Sequence, residues 1–261
     1  MNVQAPLYAE GELPRYQRHI LLREIGGQGQ ARLKQARILV VGAGGLGAPV
    51  LLYLAAAGVG EITVVDDDKV SLSNLQRQVI HSQDRLGMAK VESARCTLIG
   101  VNPYTKVVPL QVRLDADRAA ELVGGKTLVI DATDNLPSRH VLNAACAAAL
   151  VPLLSGAISQ WEGQVTLYDP AGGAPCLSCL FPVLPPDELQ TTCTSAGVMG
   201  ALPGIIGAMM AAEAIKEITG AGRGLRGRLL LHDALWGESR EIAVQRTAGC
   251  PVCGAHHKDP T

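Results

Sequence analysis

Arg37-Ile-Leu-Val-Val-Gly-Ala-Gly-Gly-Leu-Gly47 passes from a β-branched run directly into glycines at G-x-G-x-x-G spacing, and Leu46, Val50, Tyr53, Leu54 and Ala57 follow at helical intervals. A buried strand, a tight turn and an amphipathic helix is the reading, with Pro49 harmless in the first helical turn. Glycine at Gly42, Gly44, Gly45 and Gly47 lets the backbone approach a phosphate whose charge sits at the helix N-terminus. Glu61-Ile-Thr-Val-Val65 reads as the next strand, and Asp66 ends it 19 residues after Gly47, where a carboxylate can bind ribose hydroxyls. This fingerprint by itself does not separate NAD from ATP. The 23 residues Ile38 to Gly60 carry no charge, yet their six glycines divide them into strand, turn and helix, so they are not a membrane span.

Outward from this unit the pattern repeats. Arg15 to Gln35 reads as two short helices broken by Gly26-Gly27-Gln28-Gly29. Helices are predicted near residues 88–99, 116–123 and 141–150, and strands over 106–112 and 127–132, an alternation that implies a parallel, doubly wound sheet. Beyond Val151-Pro-Leu-Leu154 the rhythm changes: Trp161–Tyr168, Gly227–His232 and Arg240–Gln245 read as hairpin-linked strands of an antiparallel region. Phe181 to Thr194, rich in proline and polar residues, reads as a long surface loop, and the uncharged stretch Ala196–Ala212 as a core helix capped by Ser195. The expected organisation is an N-terminal helical segment (1–36), a Rossmann-like nucleotide-binding part (37–155) and an antiparallel part (156–261) in one compact unit.

Composition narrows the function classes. The chain has 261 residues, 48% of them hydrophobic, and a formal net charge of −1, which excludes a disordered polyelectrolyte. Near-neutrality and only 3% aromatics argue against nucleic-acid binding. Residues 1–14 contain Glu10 and Glu12 and no apolar signal segment, and seven cysteines cannot all pair internally, so a reducing cytoplasm is expected.

Chemistry-bearing residues cluster after the strands. Asn74-Leu-Gln-Arg77-Gln78, Lys90, Asp131 and Asp134 should gather at the carboxyl edge of the sheet, where two cations and an acid suit a triphosphate with Mg²⁺ better than a dinucleotide. Cys176-Leu-Ser-Cys179 and Cys250-Pro-Val-Cys253 are two C-x-x-C pairs, the spacing of a closed, structural zinc site. His256 and His257 are less favoured ligands. Cys193, before a predicted helix, is a candidate nucleophile because a helix N-terminus lowers a thiol pKa. Cys146 lies on an apolar helical stripe and is expected in the core.

Taken together, Arg15-Tyr-Gln-Arg18, Gly42 to Gly47, Asp66 to Asp68, Ser71-Leu-Ser-Asn-Leu-Gln-Arg-Gln78, Lys90, Ala132-Thr-Asp-Asn135 and both C-x-x-C pairs resemble the HesA/MoeB/ThiF family. These are the MoeB/ThiF-type sulfur-carrier adenylyltransferases of the ubiquitin-activating-enzyme superfamily. The likeness runs from about Arg15 to Gly254. It implies ATP-dependent adenylation of the C-terminal Gly-Gly carboxylate of a ubiquitin-like sulfur carrier, most naturally for molybdopterin synthesis, with the thiamine pathway as the alternative. It also implies that Asp66 and Asp68 lie at the nucleotide, that Asn74, Arg77 and Lys90 hold phosphates, that Asp134 holds Mg²⁺, and that Arg18 reaches a partner subunit's site in a homodimer. Cys193 matches a loop cysteine that can bond to the carrier in the thiamine branch. Eight residues follow Cys253, so a separate sulfur-donor protein is expected. An NAD-dependent oxidoreductase is the more distant alternative, and it leaves Arg77, Lys90 and Asp134 without a role.

Overall fold

The structure, a computed structural model, describes residues 7–182 and 197–254. Its strands are β1 (Arg37–Val41), β2 (Glu61–Val65), β3 (Lys106–Leu110), β4 (Leu128–Asp131), β5 (Leu153–Ser159), β6 (Glu162–Tyr168), β7 (Arg228–Asp233) and β8 (Glu238–Ala243). They form one sheet in the order β3-β2-β1-β4-β5-β6-β7-β8. Pairing is parallel from β3 through β5 and antiparallel from β5 through β8, so the predicted antiparallel region grows directly from the edge of the parallel half.

The helices are α1 (Gln17–Ile20), α2 (Gly26–Gln35), α3 (Gly47–Ala56), α4 (Lys90–Val101), α5 (Ala116–Val123), α6 (Leu136–Ala149), α7 (Leu177–Leu180) and α8 (Leu202–Thr219). Strand alternation sends Ile38, Val40, Ile62, Val64 and Leu154 to a core shared with α2, α3, α4 and α8. Leu39, Val41, Val65, Val129 and Leu153 face the other way, onto α5, α6 and α7. Cys146 belongs to this second core, as its stripe predicts. The α8 helix lies hard against the antiparallel half: a Cβ at Gly156 would stand 2.3 Å from Met210 Sδ, and one at Gly163 2.3 Å from Ile206 Cδ1. Tyr16 ties the N-terminal segment to the body, donating to Glu12 Oε1 at 3.0 Å and accepting from Asn102 at 2.9 Å.

Three boundaries depart from expectation. Gly26 to Gly29 open α2 rather than break the helical region, and the break falls at residues 21–25. Gly29 packs closely: a Cβ there would lie 2.9 Å from Ile25 Cγ2 and 3.3 Å from Thr219 Cβ at the end of α8. Helix α6 starts at Leu136, five residues before the apolar stripe, because Asn135 accepts the Ser138 N–H and Pro137 fits the first turn. Helix α8 starts at Leu202, after Ala201, not at Ala196. Gly197 has φ +73° and Val198 bridges to Gln160, so that stretch is extended chain running to the β5–β6 turn. Ser195 and most of the predicted loop over Phe181–Thr194 lie outside the described residues.

The turn from β1 into α3 is one of the two tightest backbone approaches among the glycines, the other being Gly60 against the Lys34 carbonyl. Gly42 has φ +99°, and a Cβ on Gly47 would fall 1.9 Å from the Gly42 carbonyl oxygen, a backbone atom with nowhere to move. Gly47→Ala is therefore expected to destabilise the protein by about 3 kcal/mol or more, the upper range for overpacking. Gly87→Ala, at φ +81° with open space around it, should cost only about 1–2 kcal/mol of left-handed strain. Urea unfolding of the two variants checks the ranking.

Candidate active site

In the order of strands β1 lies between β2 and β4, whose connections leave in opposite directions, and a crevice opens beyond the carboxyl ends at that switch point. The cavity there measures about 980 Å³. Gly42, Gly44 and Gly45 line it, whereas Gly47 sits behind the turn it makes possible. Asp66, at the end of β2, accepts the Ala43 N–H on Oδ2 at 2.8 Å and the Asp68 N–H on Oδ1 at 2.9 Å. Burial pushes this carboxyl above the usual range, against the pull of Lys90 and the two backbone N–H groups. Each oxygen keeps a lone pair, so the group can still accept from sugar hydroxyls.

Lys90 is the first residue of α4 and is nearly buried; its Nζ lies 2.7 Å from Asp68 Oδ2. Arg77 lines the same wall, with Nη1 on the Ser73 carbonyl and Nη2 on Asn74 Oδ1, each at 3.2 Å. Asn74 itself does not line the cavity among the described residues; it also donates to Ser71 Oγ, and so supports Arg77 from behind. Asp134 stands across β1, after β4, exposed, with the Asn135 amide donating to its Oδ1 at 3.4 Å.

The two aspartates expected together are thus separated. Asp131 is fully buried and accepts from Thr133 N at 3.0 Å, Thr133 Oγ1 at 2.6 Å and Ser155 Oγ at 2.7 Å, with Arg139 at 3.9 Å. It braces the crevice wall and leaves Asp134 as the carboxylate open to a cation. Ser155, Gln164, Thr166 and Tyr168 of β5 and β6 extend the lining onto the antiparallel half. No motif marks them in the sequence; only their alternation along the strands puts them on one face.

Arg18 is absent from this lining. It is exposed on α1, at a second cavity of about 420 Å³ bounded by Tyr53, Ala56, Ala208, Ala211, Ala212 and Ile215 of α3 and α8. Cys193 lies outside the described residues, as do His256 and His257.

The four cysteines of the C-x-x-C pairs converge. Cys176 Sγ lies 3.6 Å from Cys250 Sγ and 3.9 Å from Cys179 Sγ, and Cys179 Sγ lies 3.5 Å from Cys253 Sγ. Four sulfurs about 2.3 Å from a tetrahedral zinc stand about 3.8 Å apart, so this donor set fits the ion. The cluster joins α7 to the tail after β8; none of its cysteines lines the crevice, although the neighbouring Leu177 and Phe181 do. Among the described residues no helix is long and apolar enough to cross a membrane.

Comparison with known proteins agrees with this architecture. The chain is 46% identical to the molybdopterin-synthase adenylyltransferase of Salmonella typhimurium over 94% of its own length and 98% of the relative's. It is 46% identical to the sulfur carrier protein adenylyltransferase of Thermus thermophilus over 95% of its length and 93% of that protein's. The crystal structure of E. coli MccB shares the fold, with a TM-score of 0.80 at 23% identity, covering 92% of this chain and 72% of MccB. The model of the ThiF family matches residues 16–252, and the chain belongs to that family.

Proposed function

We propose that the protein adenylates the C-terminal Gly-Gly carboxylate of a ubiquitin-like sulfur carrier with MgATP, releasing pyrophosphate, most directly for molybdopterin synthesis. One observation carries the reading: two cations, Arg77 and Lys90, share a crevice with the ribose-type carboxylate Asp66 and an open Asp134, and that crevice runs onto the sheet face that carries Ser155, Gln164 and Thr166. The names of the two adenylyltransferase relatives support the same activity. A dinucleotide oxidoreductase would use Gly42 to Asp66 and leave the rest of the crevice idle.

The chemistry asks for charge and position rather than proton transfer. A peptide carboxylate is ionised at neutral pH, so it attacks the α-phosphorus without a general base. The new C–O–P link forms as the bond to the β-phosphate oxygen breaks, and pyrophosphate leaves with the electron pair. Asp66 orients the ribose, while Arg77, held by Asn74, and Lys90, held by Asp68, offset the charge on the phosphates and the departing pyrophosphate. Asp134 would hold Mg²⁺, which when bound adds positive charge at the same oxygens. The acyl-adenylate then passes to a separate sulfur-donor protein for conversion to a thiocarboxylate.

The antiparallel part, residues 156–261, is the carrier's docking region in this scheme. Among the described residues α8 covers one face of β5 and β6, and the opposite face of β7 and β8, where Leu229, Leu231 and Ile242 stand, belongs to neither core. At its crevice end Trp161, Leu235 and Trp236 are exposed on hairpin turns joined by the Ala234 N–H to Trp161 carbonyl bond of 2.9 Å. Aromatic anchors beside a groove are the usual hot spots of such contacts. The small-residue groove beside Arg18 suits a second copy of the chain, whose Arg18 would complete the neighbouring crevice. We assign the reaction to the cytoplasm, a reducing compartment that suits a four-thiolate metal site.

Arg77→Ala and Asp134→Ala are each expected to abolish carrier-dependent ATP–pyrophosphate exchange while leaving the circular-dichroism spectrum and melting temperature near wild type. Near-normal exchange in both would remove the assignment. Arg18→Ala and Arg77→Ala, each inactive alone, should recover about a quarter of wild-type exchange when mixed and re-equilibrated, because half the dimers are mixed and each holds one intact site. Cys250→Ser, or chelation of the metal, should lower the melting temperature by several degrees before it alters nucleotide affinity, with elemental analysis finding one zinc per wild-type chain.

A further inference from the structure

His81 lies beneath the glycine loop, three residues past the Arg77-Gln78 pair, and is almost fully buried. Its Nε2 is 2.9 Å from the Ala43 carbonyl oxygen, and its Nδ1 is 2.9 Å from Ser93 Oγ. A carbonyl can only accept, so Nε2 carries the proton and Nδ1 accepts from the Ser93 hydroxyl. Ser93 is itself fully buried in the first turns of α4, the helix that begins with Lys90. The N–H of Ala43 is held from the other side by Asp66. Both polar groups of the residue between Gly42 and Gly44 are therefore fixed by side chains, one from the end of β2 and one anchored on α4.

The direction of the Ala43 carbonyl decides what the loop shows to a ligand. That carbonyl and the Gly44 N–H belong to one planar trans peptide and point in opposite directions. With the carbonyl turned down onto His81, the Gly44 N–H points up from it. Gly44 lines the crevice, and among the described residues no protein acceptor takes its N–H. A reversed peptide, which a glycine at position 44 would readily tolerate, would aim a carbonyl dipole at the phosphates instead.

We propose that His81 is a positioning residue that locks the Ala43–Gly44 peptide with its N–H toward the nucleotide phosphates, using Ser93 to fix the imidazole tautomer. The inference rests on the nucleotide reading of the crevice and requires no particular carrier. Burial, with Lys90 and Arg85 close by and Asp66 opposing them, holds the imidazole below its usual range and keeps it neutral at pH 7. The neutral form is the one that leaves Nδ1 free to accept from Ser93. The same ring couples the loop to α4, so the peptide that meets the phosphates and the Lys90 amine are set by one chain of hydrogen bonds.

The test is direct ligand binding by the full-length protein, measured calorimetrically for MgATP and by competition for adenosine, with no carrier present. His81→Asn keeps a group near Nδ1 and loses the donor to Ala43, and it should weaken MgATP by about tenfold or more, the cost of a lost bond to a charged group. Adenosine, which has no phosphate, should bind within about twofold of wild type, a split that general loosening of the site would not produce. His81→Gln restores an N–H near Nε2 and should recover most of the MgATP affinity. Ser93→Ala, which keeps the ring and frees its tautomer, should shift MgATP in the same direction by a smaller factor. Unchanged MgATP binding in His81→Asn, equal loss of MgATP and adenosine, or a His81→Gln variant no better than His81→Asn would each overturn the proposal. Tight MgATP binding by a wild-type protein that adenylates no Gly-Gly-ended carrier would refute the carrier assignment while leaving this inference standing.

Discussion

The crevice depends on one close contact, the approach of Gly47 to the Gly42 carbonyl where β1 turns into α3. No side chain larger than hydrogen fits between those backbone atoms. The contact sets where the helix begins, and with it the place at which Gly42, Gly44 and Gly45 face the cavity. Asp66 then reaches the loop from β2, and the carboxylate expected only to receive ribose also holds the Ala43 N–H. Binding group and scaffold are the same atoms, so a change at Asp66 affects the shape of the loop as well as the ligand. Burial raises the cost of its charge, and two backbone N–H groups partly offset that cost.

The second organising feature is the change of direction at β5. Up to that strand the sheet is parallel and carries helices on both faces, as parallel sheets must. Past it the strands turn antiparallel, α8 stays on one side, and on the opposite face the helical cover ends at β6, whose Tyr168 packs with α6 and α7. A nucleotide crevice and an open sheet face are thereby made continuous through Ser155, Gln164 and Thr166. The cysteine cluster ties the tail after β8 to α7, and none of its cysteines lines the crevice. Its place in the fold is that of a staple and not of a reagent.

Local patterns in the chain foretell most of this. The glycine turn, Asp66, the first residue of α4 and the paired cysteines each occupy a few adjacent positions whose spacing has one economical explanation. What escapes the pattern is set by packing. Gly29, in the first turn of α2, packs against Thr219, a residue 190 positions away that no local pattern could bring to it. Asp131 and Asp134 look equivalent in sequence, yet strand register buries the first among Ser155, Thr133 and Arg139 and leaves the second open. Asn74, whose motif suggests a phosphate ligand, also accepts from Arg77 Nη2, a contact the motif does not announce. His81 and Ser93, 12 residues apart, meet only because the chain between them folds back under the loop. Lone polar residues of this kind give no periodic or motif signal.

The central claim is that AMP is transferred to the carboxylate of a carrier's terminal glycine. The most direct measurement is the intact mass of a Gly-Gly-ended carrier after a single turnover with stoichiometric enzyme and MgATP. The account predicts a carrier heavier by one adenylyl group, located on its last residue and returned to the starting mass by excess pyrophosphate. A carrier of unchanged mass, or an adenylyl group found on any other residue, would contradict it.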